Sequence, residues 1–258
     1  MFLGNNFARS MIGVKFSGRM PENPMTTRPE KLLEIRDRKV SAITGHKFFL
    51  LFVFLLLYLI LYPYTQNKGV AYYAFRVLAI GITLLSVYAV SFRRSLVFVG
   101  MALAIPTLME HLRIDHWDAS AASTLTIALT LAFDAFIIIV IFRRVFVHKQ
   151  PTAETIYGAL CIYLLVGFGF ASIYKLLAIM QPHAFYLDPT TSLNTTLNRF
   201  DLIYYSFGTM TCLGASGIVA VSNQARSLSI IEAILGVLYL AVLISRLVGT
   251  HGKATGEE

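Results

Sequence analysis

The chain has 258 residues, of which 56% are hydrophobic and 14% charged, with a formal net charge of +8. Soluble domains carry about 25% charged residues, so this composition excludes an ordinary soluble fold and points to a protein dissolved in a bilayer. Its two cysteines, Cys161 and Cys212, fall in apolar or membrane-depth segments, which excludes a disulfide framework, and no His/Cys group has metal-ligand spacing.

The positive charge is concentrated ahead of the first apolar run, at Arg9, Lys15, Arg19, Arg28, Lys31, Arg36, Arg38, Lys39 and Lys47. Residues 1–46, with Pro21, Pro24 and Pro29, read as a largely disordered basic arm holding one short helix at 30–40. Lys and Arg beside a membrane segment fix the cytoplasmic side and lean on anionic headgroups, so lipid, not nucleic acid, is the expected partner. The long polar stretch before the apolar run also excludes a secretory signal.

About 20 apolar residues cross a bilayer. The first span is expected at 47–63, stopped by Pro63, and the second at 70–91 after a turn at 66–69. The third, 95–112, contains Pro106, which predicts a kink or a weak helix. A polar loop at 113–119 carries Trp117, and the fourth span, 120–142, ends at Phe142, Arg143 and Arg144. Pro151 suits the first turn of the fifth helix, 152–180. A loop rich in Pro, Thr and Asn, 181–198, leads to a short amphipathic helix at 199–211, and the sixth span is expected at 226–250.

Six spans and an inside N-terminus put Arg93, Arg94, Arg143, Arg144 and Lys149 on the inside, while the alternate loops hold chiefly Lys68 and Arg113. That bias agrees with the positive-inside rule and predicts two cytoplasmic termini in a multi-pass protein of the cell (plasma or inner) membrane. The fourth span has no basic residue between Thr124 and Phe142, so no voltage sensor is expected.

The stretch from Tyr204 to Gly217, YYSFGTMTCLGASG, is too short and polar to span, yet it lies between two of the most apolar segments. Irregular backbone at membrane depth is tolerated where it lines water or is buried in protein, and Gly permits the angles that aim carbonyls at an ion. The stretch resembles the pore region of the tetrameric potassium-channel superfamily, whose usual form runs aromatic-Phe-Ser-x-x-Thr-x-Thr-Thr-Val-Gly-Tyr-Gly-Asp. The segment from Ala225 to Gly249 resembles the inner helix of bacterial members, with Glu232 near its start, Gly236 at its middle and a closing Arg246-Leu247-Val248-Gly249.

The resemblance implies an all-α integral membrane protein of six transmembrane helices, with a re-entrant pore helix and filter loop between the fifth and sixth. It divides the chain into an arm (1–46), a four-helix domain without sensor charges (47–150), a pore domain (151–250) and a short cytoplasmic tail (251–258). It implies a homotetramer whose ion pathway is lined by Thr211, Cys212, Leu213, Gly214, Ala215, Ser216 and Gly217. Thr209 and Glu232 would support the filter, Gly236 would be the gating hinge, and a monovalent cation, potassium or sodium, would pass with no cofactor.

Departures from the usual motif fall within the filter. Cys212 takes the filter threonine's place, Leu213 that of Val, Ala215 that of the aromatic, Ser216 that of the second Gly and Gly217 that of Asp. A soft thiol is a weaker ligand for a hard cation, and Ser at positive φ costs about 1–2 kcal/mol. Weakened selectivity is therefore expected.

Other readings of the same residues stand beside this one. The chain could be a non-conducting channel-fold scaffold or sensor, and the small residues could form a close helix interface. Glu232 could bond the pore helix or face the ion, and Gly236 could serve helix packing. Asp134 is an intramembrane carboxylate expected to find a polar partner or act as a relay. No motif joins Asp134, Glu232 and Cys212 into a catalytic set, so no enzyme is expected, and the absence of repeated halves argues against a transporter.

Overall fold

Long runs of Leu, Ile, Val and Phe satisfy their backbone groups within their own segment, and in this chain they are helices. A computed structural model describes residues 47–65, 70–91, 94–112, 121–147, 153–190, 197–215 and 217–254. The expected arm at 1–46, the 66–69 turn, Trp117 and its loop, Pro151, Ser216 and the last tail residues lie outside the described residues.

The helices are α1 (Lys47–Leu61), α2 (Val70–Val90), α3 (Arg94–Leu112), α4 (Ala121–Val147), α5 (Ala153–Met180), α6 (Arg199–Met210) and α7 (Asn223–Ala254). Five of them, α1, α2, α4, α5 and α7, are long and apolar enough to cross a membrane. In α3 the apolar portion, Leu96–Met109, is shorter. That helix runs unbroken through Pro106, and the Thr107 hydroxyl bonds the Leu103 carbonyl at 3.1 Å beside it.

Several boundaries differ from the sequence reading. Tyr62–Thr65 form a 3-10 turn after α1, where Tyr62 stacks on Phe200 at 5.1 Å. Arg143 and Arg144 lie within α4 and do not end it. Phe142 and Phe146 stack at 4.1 Å across that turn, and Arg144 complements the negative end of the helix. Helix α7 starts earlier because Ser222 Oγ accepts the Ala225 N–H at 3.1 Å, and it continues to Ala254, so the expected tail at 251–258 begins as helix. The loop at 181–198 contains a strand, β1 (Phe185–Leu187), that pairs antiparallel with β2 (Ile218–Ala220), Tyr186 opposite Val219.

Helix α5 is the hub, packing on α1, α4, α6 and α7. Phe48, Leu51 and Leu55 of α1 meet Ile137, Ile141 and Val145 of α4 and Ala159, Ile162 and Leu165 of α5 in one core cluster. A second cluster joins Tyr58, Phe75, Ala171 and Ile203, and a third, under the β1–β2 pair, joins Tyr174, Leu202, Tyr205 and Ile218.

Candidate functional site

The short helix α6 is started by a capping box. Asn198 Oδ1 accepts the Asp201 N–H at 2.9 Å, and Asp201 Oδ2 accepts the Asn198 N–H at 2.8 Å. Its 12 residues rise about 18 Å at 1.5 Å each. The helix ends against α7 at Gly236, where a Cβ would overlap the Met210 carbonyl oxygen. From Asn223 to Gly236 is thirteen residues, about 20 Å along α7.

Beyond Met210 the chain turns sharply. Thr211 caps the helix, and both its N–H (3.0 Å) and its hydroxyl (2.6 Å) donate to the Phe207 carbonyl. Cys212 adopts a φ of 58° and donates its N–H to the Thr209 carbonyl at 3.1 Å. Holding an L-residue there costs about 1–2 kcal/mol. Gly214, at φ 78°, returns its N–H to the Gly208 carbonyl at 3.0 Å. Gly208 must lack a side chain for this, since its Cβ would stand 2.8 Å from the Gly214 oxygen.

Gly217, at φ 86°, leads into β2, and its carbonyl accepts the Asp188 N–H at 2.7 Å. The Asp188 carboxylate, in turn, accepts the Thr190 N–H (2.9 Å) and hydroxyl (2.8 Å), which hold it below the usual carboxylate range. The chain thus leaves the end of the molecule marked by β1 as a helix and is back there by β2. Seven residues, 211–217, make the return, and a chain of that length reaches at most about 25 Å. Thr211 to Gly214 are exposed on the protomer, Leu213 to 85%, while Ala215 and Gly217 are partly buried.

Behind this loop lies a polar network. Glu232 of α7 is fully buried, with Ser206 Oγ of α6 2.5 Å from Oε1 and the Tyr174 hydroxyl of α5 donating to Oε2 at 2.5 Å. Ser206 also reaches the Gly167 carbonyl at 2.7 Å, and the Tyr205 and Ser229 hydroxyls meet at 2.6 Å. Three helices are therefore tied at one depth. Tyr174, Tyr205 and Phe185 pack edge to face around it.

Of the residues singled out from sequence, Thr209, Thr211, Cys212 and Gly214 share the turn, while Glu232 sits behind it and Gly236 beneath it. Ser216, expected to carry a strained φ, lies outside the described residues, and positive φ is carried by Cys212, Gly214 and Gly217. Asp134 stands apart, in a cavity with Lys175 and Arg199. Sequence reading missed Tyr174, Ser206 and Ser229. The signal for them was a buried-tyrosine pattern in α5 and α6 facing hydroxyls on α7, since a buried Tyr needs a partner.

These features define a multi-pass helical membrane protein in which two long helices enclose a short helix and a glycine-bearing turn. Residues 161–250, from within α5 to near the end of α7, match the family model described as Ion channel. No curated protein and no solved structure matches the chain.

Proposed function

We propose that the chain is the pore-forming subunit of a cation channel, four identical copies around one axis, passing potassium or sodium with weakened discrimination. One observation carries the reading: α6 descends and the chain returns within seven residues, leaving Thr211 to Gly214 uncovered on the protomer. A descent of about 18 Å into a hydrocarbon layer of about 30 Å ends near its middle. Uncovered irregular backbone at that depth requires water or protein beside it, and a central pore among four copies supplies both.

In this reading α3 is the sixth span, both termini are cytoplasmic, and the re-entrant segment enters from the outer face of the plasma or inner membrane. Thr211, Cys212, Leu213, Gly214, Ala215, Ser216 and Gly217 line the filter, and α7 lines the inner vestibule. Thr209 holds the turn through its carbonyl, and Glu232 braces the pore helix from behind. Gly236 seats the tip of α6, so bending of α7 at this hinge position would displace Met210 and the filter with it. Backbone oxygens provide the hydration substitute for a cation, with the Cys212 thiol weaker than the usual hydroxyl. Permeation needs no cofactor or catalytic group, and the remaining partner is membrane lipid.

The test is ion flux in proteoliposomes holding the full chain, with potassium and sodium gradients compared and Gly214→Asp as control. Flux above empty liposomes that is lost in the variant is expected, with a low potassium-to-sodium ratio. A tetrameric, folded protein that passes neither ion would sink the reading. A second reading, a channel fold kept as a scaffold or sensor, is favoured by one observation. The positive φ at Cys212 closes the chain into a tight turn where a conducting filter needs stacked carbonyls.

A further inference from the structure

A cavity of about 70 Å³ lies among α1 to α5 and the first turn of α6. A buried water needs about 10–15 Å³ by this measure, so the space holds on the order of five water-sized groups. Asp134 of α4, Lys175 of α5 and Arg199 of α6 line it together with the hydroxyls of Thr83, Thr130 and Ser172. Three ionisable side chains within membrane-depth helices are costly and mark a functional site.

These three hydroxyls have their hydrogen committed, and Ser86 of α2 also lines the cavity. Thr83 donates its only hydroxyl hydrogen to the Ala79 carbonyl (3.0 Å), Thr130 to Thr126 (2.9 Å) and Ser172 to Phe168 (3.1 Å). A hydroxyl so committed offers the cavity lone pairs alone. With the Asp134 carboxylate, which is drawn electrostatically to Arg199, they make an acceptor wall. It sits deep: Thr83 is thirteen residues from the start of α2 and Asp134 thirteen from the start of α4.

Lys175, only 8% exposed, lies five residues from the end of α5, and Arg199 opens α6. Both are held by neighbours within the protein and, as multivalent donors, present a cationic wall nearer the helix ends. A lone anion meets the Asp134 carboxylate on the deep wall, and a lone cation meets two positive charges on the other. A molecule carrying both groups fits both walls.

We propose that this cavity binds a small zwitterion of about five non-hydrogen atoms, its ammonium on Asp134 and the Thr83 and Thr130 oxygens, its carboxylate on Lys175 and Arg199. Because Arg199 is the first residue of α6, occupancy bears directly on how that helix is seated.

The probe is glycine, titrated into the purified full chain in nanodiscs at fixed ionic strength, with acetate and methylammonium as half-ligands. Calorimetry and the unfolding midpoint report binding without any ion flux, so the outcome is independent of conduction. Expected are saturable glycine binding at least tenfold tighter than either half-ligand, and a tenfold loss in Asp134→Asn and in Lys175→Met. Thr83→Val keeps shape and removes lone pairs, so a several-fold loss is expected even if the charge variants fail to fold. Equal binding of acetate would make this an anion site and equal binding of methylammonium a cation site. Absence of any binding would leave a water-filled cavity, and glycine binding undiminished in Thr83→Val would put the ligand elsewhere. Each of these four results overturns the proposal.

Discussion

Helices α5 and α7 flank the same short helix, and both are long and apolar enough to cross a bilayer, yet their surroundings differ. Half of α5's apolar window is buried inside the protomer, against 17% of α7's. Hydropathy puts both in the membrane but does not separate them, because an exposed Leu in lipid carries no hydrophobic penalty. Much of what α7 engages falls on one stripe: Ala225, Ser229, Glu232, Gly236, Tyr239 and Leu243, alternating by four and three residues. That spacing keeps one seam of a helix against its neighbours. Ile230, Ile234 and Leu238, off the seam, are each more than half exposed. α5 therefore holds the protomer together, and the free face of α7 is available to lipid or to further copies of the chain.

The largest expected effect tests that contrast directly. Ile162 of α5 is 2% exposed, so Ile162→Ala should cost about 2–5 kcal/mol of protomer stability in detergent unfolding. The same truncation at Ile234, 52% exposed, should stay within about 0.5 kcal/mol and instead lower the fraction of the proposed tetramer in native mass spectrometry. Equal destabilisation by both would erase the distinction between the helices.

Next comes the single charged residue on α7's seam among those described as fully buried. Glu232→Ala takes the acceptor from the Tyr174 hydroxyl while Ser206 keeps the Gly167 carbonyl, at about 1–3 kcal/mol for the group left without its partner. Glu232→Gln retains an acceptor oxygen and should cost about half as much or less by the same reasoning. If the alanine variant unfolds at the wild-type midpoint, the network does not brace α6.

A smaller effect separates two glycines, one on each helix. Gly236→Ala drives a methyl into the Met210 carbonyl, a backbone atom that cannot swing aside, and should cost about 1–3 kcal/mol. Gly169→Ala meets no atom within 4 Å and should be neutral or favourable by up to about 1 kcal/mol through helix propensity. Thermal unfolding of the two variants side by side gives the sign of each.

Much of this was legible in sequence where a local rule decided it. Apolar run length located the five helices long and apolar enough to cross a membrane and the shorter α3, and the Gly- and Thr-bearing stretch located the turn after α6. The boundaries that moved were set by short-range side-chain contacts that apolar run length does not register. The Phe142–Phe146 stack carried α4 past its arginines, and the Ser222 cap started α7 early. The β1–β2 pair escaped because two three-residue strands 33 residues apart, counted from Phe185 to Ile218, have no periodicity to read. Asp134's neighbours escaped for the same reason, since Lys175 and Arg199 reach it from two other helices.

The two cysteines offer the gentlest probe of the contrast, because each reports one side of it without any substitution. Cys161 of α5 is fully buried, its Sγ 3.3 Å from the Phe48 carbonyl, so a water-soluble thiol reagent should leave it intact until the protein unfolds. Cys212, in the turn that lies between α6 and α7, is exposed and should be modified in the native protein. Mass spectrometry of the intact chain should therefore show one adduct under native conditions and two in denaturant. In sealed vesicles, a charged membrane-impermeant reagent should form that single adduct at Cys212 and reduce flux in the same time course. Two native adducts would mean that α5 is not the closed hub its packing describes. One adduct with unchanged flux would separate the exposed turn from the ion pathway.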